Sequence, residues 1–149
     1  MKHGFLYRLC TILILLFIVA GTALMGFLFY EELPVIWQEA NGRVYAVVAA
    51  CLGAACYAGA LLIAVTLLRM LHSLGGDPFV TANVNRLRLM GFVALGMTAC
   101  TLGLVALPFN AVIFVAGGMA VGLCGLLALV LSEVFARAVA YKQENDLTI

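Results

Sequence analysis

Side chains able to do chemistry are few in this chain: two histidines, five cysteines, seven carboxylates and eight basic residues among 149. Paired carboxylates would support general acid–base work, a His/Cys cluster would hold a metal, and a nucleophile beside a base would support covalent catalysis. The sequence contains none of these constellations. His3 and His72 stand far apart at the edges of apolar stretches, whereas haem ligation between helices needs two suitably placed His or Met side chains. Cys10, Cys51, Cys56, Cys100 and Cys124 are odd in number, lack a CxxC spacing and read as small packing residues. Gly75-Gly76 lacks the lysine of a phosphate loop and reads as a helix terminator. No catalytic, cofactor-binding or metal-binding residue is assigned, and the chain is expected not to be an enzyme. The polar residues that remain fall in two segments. Asp77, Phe79, Asn83, Arg86 and Arg88 lie in one, and Glu133, Arg137, Glu144 and Asp146 in the other. Together they are the expected interaction surface.

The elements that must position these residues are apolar. The chain is 66% hydrophobic and 10% charged, with a mean hydropathy of +1.18, against about 25% charged in soluble domains. That composition excludes a soluble catalytic domain, and direct nucleic-acid binding is not expected, for want of an extended basic face. Apolar stretches run over about residues 9–30, 44–68, 89–107 and 111–132, none with a charged residue inside. A bilayer core of about 30 Å takes about 20 helical residues, so each stretch is long enough to span it. The expected fold is all-α: a single transmembrane domain over 1–149, built as an integral four-helix bundle in the lipid bilayer, with a loop at 69–88 and a tail at 133–149. The first stretch reads as a retained span, since it ends in Phe29-Tyr30-Glu31-Glu32 rather than in small residues. A proton-coupled exporter would be expected to hold an intramembrane carboxylate, and the four stretches offer none.

Positive charge in short loops stays on the cytoplasmic side. Lys2, Arg8, Arg69, Arg86, Arg88, Arg137 and Lys142 fall on one side of the traced path, and only Arg43, beside Glu31, Glu32 and Glu39, on the other. Both termini and the 69–88 loop are therefore expected in the cytoplasm. Tyr30, Trp37 and Tyr45 mark the outer boundary, and Leu33-Pro34-Val35-Ile36-Trp37, in the outer connection of spans one and two, is expected to lie in the membrane–water interface.

Pro108-Phe109-Asn110 alone joins spans three and four, which predicts a tight antiparallel hairpin. Residues equidistant from Phe109 then share a depth, and Glu133 is expected to pair with Arg86 or Arg88. In the 69–88 loop, Gly75-Gly76 ends the second helix, Asp77-Pro78 turns the chain, and Thr81 caps a third helix with Phe79 just before it. That helix is expected to display Asn83, Asn85, Arg86 and Arg88 to the cytoplasm. Gly118 and Gly122, Ala49 and Gly53, and Ala55 and Gly59 are small-xxx-small pairs. Packing within the chain is favoured for them over a dimer interface. Gln143 to Ile149 is polar and terminal, and is expected to fray.

Two segments carry a family likeness. One is Gly76-Asp77-Pro78-Phe79-Val80-Thr81-Ala82-Asn83, followed by Arg86-Leu87-Arg88 and Gly91. The other is Leu131-Ser132-Glu133-Val134-Phe135-Ala136-Arg137, with Gln143-Glu144-Asn145-Asp146-Leu147-Thr148-Ile149 at the terminus. With four spans, these resemble the bacterial membrane proteins grouped as domain of unknown function 2975. The resemblance defines no catalytic residues. It implies a bacterial cytoplasmic membrane location. It also implies a partner, because genes of this family often neighbour one for a small helix-turn-helix regulator.

The expected function is a non-enzymatic regulatory membrane protein that offers its loop-and-tail surface to such a regulator. The alternatives are a small transporter or channel working as a homo-oligomer, and an accessory subunit of a larger membrane complex. Four spans packed on their own axis leave little room for a pore, so a path would need a subunit interface.

Overall fold

The computed structural model describes residues 3–38, 42–73, 80–106 and 111–146. Four α-helices account for nearly all of them: α1 (His3–Trp37), α2 (Gly42–Ser73), α3 (Thr81–Leu104) and α4 (Ala111–Asp146). The described residues contain no strand. Helices α2 and α3 and the Phe114–Asn145 segment of α4 are each long and apolar enough to cross a membrane, while the described apolar segment of α1, Tyr7–Ala23, is shorter. Large apolar side chains point outward all along the surface, among them Phe17, Phe92, Val112 and Leu127. Water would penalise that surface heavily, and lipid would not. This is a membrane helical bundle.

Each helix packs against its neighbour in sequence, and α1 and α4 make no contact among the described residues. The bundle is therefore open along one side. Its best-packed part is the α3–α4 hairpin. Buried positions on α3 recur at Asn83, Leu87, Met90 and Ala94, and those on α4 at Gly118, Gly122, Gly125, Ser132 and Val139, each set on one helical face. Within a membrane, helices associate by close contact of small residues and by hydrogen bonds, since lipid removes the hydrophobic drive. Gly125 shows how close. A Cβ there would sit 2.9 Å from the Ala94 Cβ and 3.1 Å from the Gly91 carbonyl oxygen. Gly118 faces Thr101 and Gly122 faces Thr98, and the Thr98 hydroxyl lies 3.2 Å from the Gly118 carbonyl oxygen. The Gly118/Gly122 pair is thus used within the chain, as its sequence context favoured.

Helix ends differ from expectation in three places. The expected interfacial segment Leu33–Trp37 is the last part of α1, which runs on through Pro34. Pro34 lacks the amide that would bond the carbonyl four residues earlier, and the helix continues only three residues beyond it. Thr81 does not cap α3. It is the first helical residue, while Val80 holds the cap position in extended conformation without a side-chain bond. The Asn83 amide closes the first turn on the Val80 carbonyl at 2.9 Å. The expected fraying of Gln143 to Asp146 is not found either, because α4 remains helical through Asp146. Ala136, Ala138, Ala140, Lys142, Gln143 and Glu144 are strong helix formers, which explains the extension. Gly75-Gly76, Asp77-Pro78, Phe79 and Pro108-Phe109-Asn110 lie outside the described residues.

Candidate functional site

One end of the bundle, its foot, gathers the polar residues. Here α2 finishes, α3 starts, α4 passes on beyond the apolar stretch, and α1 contributes its early residues. The foot has two halves.

The inner half is organised by Asn83. Its side chain is fully buried, at 0% exposure, where an exposed position on a projecting helix was expected. Its location explains this. Asn83 sits on the first turn of α3, against the last turn of α2, and both faces close over it. A buried amide must be hydrogen-bonded to be tolerated. The Ser73 hydroxyl lies 3.0 Å from its Oδ1 and 2.7 Å from the Met70 carbonyl. Arg86 Nη1 donates to the same Oδ1 at 3.0 Å and reaches the Arg69 carbonyl oxygen at 3.3 Å. Asn83 therefore ties the end of α2 to α3 and fixes the direction of the Arg86 side chain. Beside this network the Tyr7 hydroxyl lies 3.3 Å from His72 Nδ1, joining α1 to α2.

The outer half is on α3 and α4. Arg88 Nη2 donates to Glu133 Oε2 at 3.2 Å, the ion pair that the hairpin register predicts. Both side chains are about half exposed, at 48% and 58%, so the pair sets register more than it stabilises. Next to Glu133, Ser132 is buried at 2% and bonds back to the Leu129 carbonyl at 2.6 Å. From here α4 continues past the apolar stretch. Val134, Arg137, Tyr141 and Glu144 are exposed at helical spacings of three and four, so they line one face. Arg137 and Glu144 thus share a helix face, and Asp146 is its last described residue.

A model of a family described as a protein of unknown function (DUF2975) matches residues 5–149. The chain belongs to the DUF2975 family. No curated protein and no solved structure matches it. For this DUF2975 protein, the two polar segments that carried the resemblance are the two sides of one junction, since Arg88 comes from the first and Glu133 from the second.

Of the expected surface residues, Asn83 and Arg86 are brought together, as are Arg88 and Glu133, while Asp77 and Phe79 fall outside the described residues. Tyr7, Arg69 and Ser73 were not among the expected residues, and His72 was read only as a boundary residue. A signal existed for one pair. Tyr7 and His72 are equidistant from the α1–α2 connection at residues 39–40, as are Thr22 and Tyr57, whose hydroxyls also bond. Depth matching of that hairpin finds both. Among the described residues no group of three or more His, Cys, Asp or Glu side chains comes together as a metal site would need.

Proposed function

We propose that this protein is a non-enzymatic regulator of the bacterial cytoplasmic membrane, crossing it four times with both termini inside. On this reading its foot presents a surface to a small helix-turn-helix transcription regulator. The observation that carries the reading is the length of α4. The helix runs fourteen residues beyond Ser132, from Glu133 to Asp146, a projection of about 21 Å. A membrane span needs no such extension. Its exposed face combines Val134, Arg137, Tyr141 and Glu144, the mixture of apolar, aromatic and charged groups that helix-mediated recognition uses. The segment ending in Glu144 and Asp146 complements the basic face of a DNA-binding partner, so binding there competes with DNA. The charge asymmetry supports the cytoplasmic placement, and the family resemblance supports the partner's class.

Purification of the full chain in gentle detergent, followed by mass spectrometry of what co-elutes, tests this. A stoichiometric small DNA-binding protein is expected, and it should be lost from Arg137→Glu and Tyr141→Asp variants that still purify as folded protein. Recovery of the chain alone would overturn the proposal.

A second reading, an oligomeric transporter with its path between subunits, is favoured by the missing α1–α4 contact among the described residues. A single-chain particle mass in detergent argues against it, and a defined oligomer supports it.

A further inference from the structure

Between α1, α2 and α3 at the foot lies an open cleft of about 400 Å³, lined by Tyr7, Val65, Leu68, Arg69, His72 and Arg86. Two arginines line this one cleft. Like charges held close repel, and the usual remedy is a carboxylate between them. Here Arg86 spends its bonds on neutral acceptors, the Asn83 amide oxygen and the Arg69 carbonyl. Neither arginine has a carboxylate within ion-pair distance among the described residues. The Arg69 side chain has no hydrogen-bond partner among them either. Among the described residues the cleft is therefore a cationic site, held in shape by the Asn83 network, with no carboxylate of its own.

Its lining also changes character along α2. Val65, Leu68, Arg69 and His72 recur at spacings of three, one and three residues on one face of the helix. The sequence runs from apolar, toward the middle of the helix, to cationic and polar near its end, over about 10 Å. A free inorganic anion has no use for the apolar part. An amphiphile uses both parts.

We propose that this cleft binds the phosphodiester headgroup of an anionic phospholipid. Arg69 and Arg86 hold the phosphate oxygens, for which the planar guanidinium is suited. The Tyr7–His72 pair offers hydrogen bonds to the rest of the headgroup, and Val65 and Leu68 receive the first methylenes of the acyl chains. Basic pockets between membrane helices are known settings for such headgroups. The inference needs only that the helices cross a bilayer, and it stands apart from the identity of any protein partner.

The test is native mass spectrometry of the full chain in detergent, titrated separately with phosphatidylglycerol and phosphatidylcholine. Phosphatidylglycerol adducts should dominate. Arg69→Gln should weaken them about fivefold while leaving phosphatidylcholine adducts unchanged. The Arg69 side chain makes no hydrogen bond among the described residues, so the melting temperature of Arg69→Gln should match that of the parent protein. Arg43→Gln, at the other end of α2, should change neither lipid. Equal binding of the two lipids, or full retention of phosphatidylglycerol by Arg69→Gln, overturns the site. Displacement of phosphatidylglycerol by equimolar glycerol 3-phosphate overturns the lipid in favour of a soluble phosphate ester.

Discussion

The α3–α4 hairpin and the α1–α2 pair are both antiparallel, yet they are joined in opposite ways. Helices α3 and α4 touch through their backbones, with Gly91, Ala94 and Thr98 set against Gly125 and Gly122. Among the described residues, helix α1 presents mostly exposed apolar side chains, and two hydroxyl contacts bond it to α2, Thr22 with Tyr57 and Tyr7 with His72. In a membrane, where burial of apolar surface gives no preference for protein over lipid, close packing reinforced by hydrogen bonds makes a rigid unit. The hairpin is such a unit, and α1 is attached to it through α2.

The largest expected effect breaks the hairpin. Gly125→Leu would force α3 and α4 apart and should cost about 3 kcal/mol in reversible unfolding in mixed micelles. Gly21→Leu on α1, where a Cβ meets nothing within 4 Å, should stay within about 0.5 kcal/mol of the parent. Equal losses from the two would remove the distinction between the pairs. Next comes Asn83→Leu, which leaves Ser73 and Arg86 without their common acceptor. It should cost about 1–3 kcal/mol and should weaken Arg69-dependent lipid binding as Arg86 loses its anchor. A smaller loss, about 0.6 kcal/mol, is expected for Tyr57→Phe. A Thr22→Val,Tyr57→Phe double variant that adds nothing further would show that the hydroxyls act on each other. The smallest is Arg88→Gln, a few tenths of a kcal/mol that should vanish in high salt. A loss that persists in salt would mean the Arg88–Glu133 pair is more shielded than its exposure indicates.

The contrast between the pairs also explains what the sequence could convey. Charge-free apolar stretches announce helices, and Pro108 sets the α3–α4 register well enough to bring Arg88 to Glu133. Residue type misleads where tertiary contact decides. Asparagine on a helix leading out of a membrane reads as exposed, and nothing local in Asn83 says that the last turn of α2 folds against it. Ser73 and Arg69 are invisible for the same reason, since their roles exist only once α2 and α3 meet. The extent of α4 was legible in principle, because alanine-rich helix formers continue past Ser132, but terminal polarity outweighed them. The openness between α1 and α4 has no counterpart in hydropathy, which counts spans and is silent on which of them touch.

The attachment of α1 has a mechanical side. The helix holds 35 residues, about 52 Å of length, of which the charge-free stretch 9–30 makes about 33 Å, close to a hydrocarbon core of about 30 Å. An apolar stretch so matched becomes too long, and tilts, when the bilayer thins. Its two bonded pairs to α2, at Tyr7 and Thr22, are fifteen residues apart, or about 22 Å, and act as two pivots. Tilt about the Thr22 pivot would move Tyr7, which lines the Arg69–Arg86 cleft, while the glycine-packed hairpin keeps its form. A thinning bilayer would thus reach the foot of this protein through a lever.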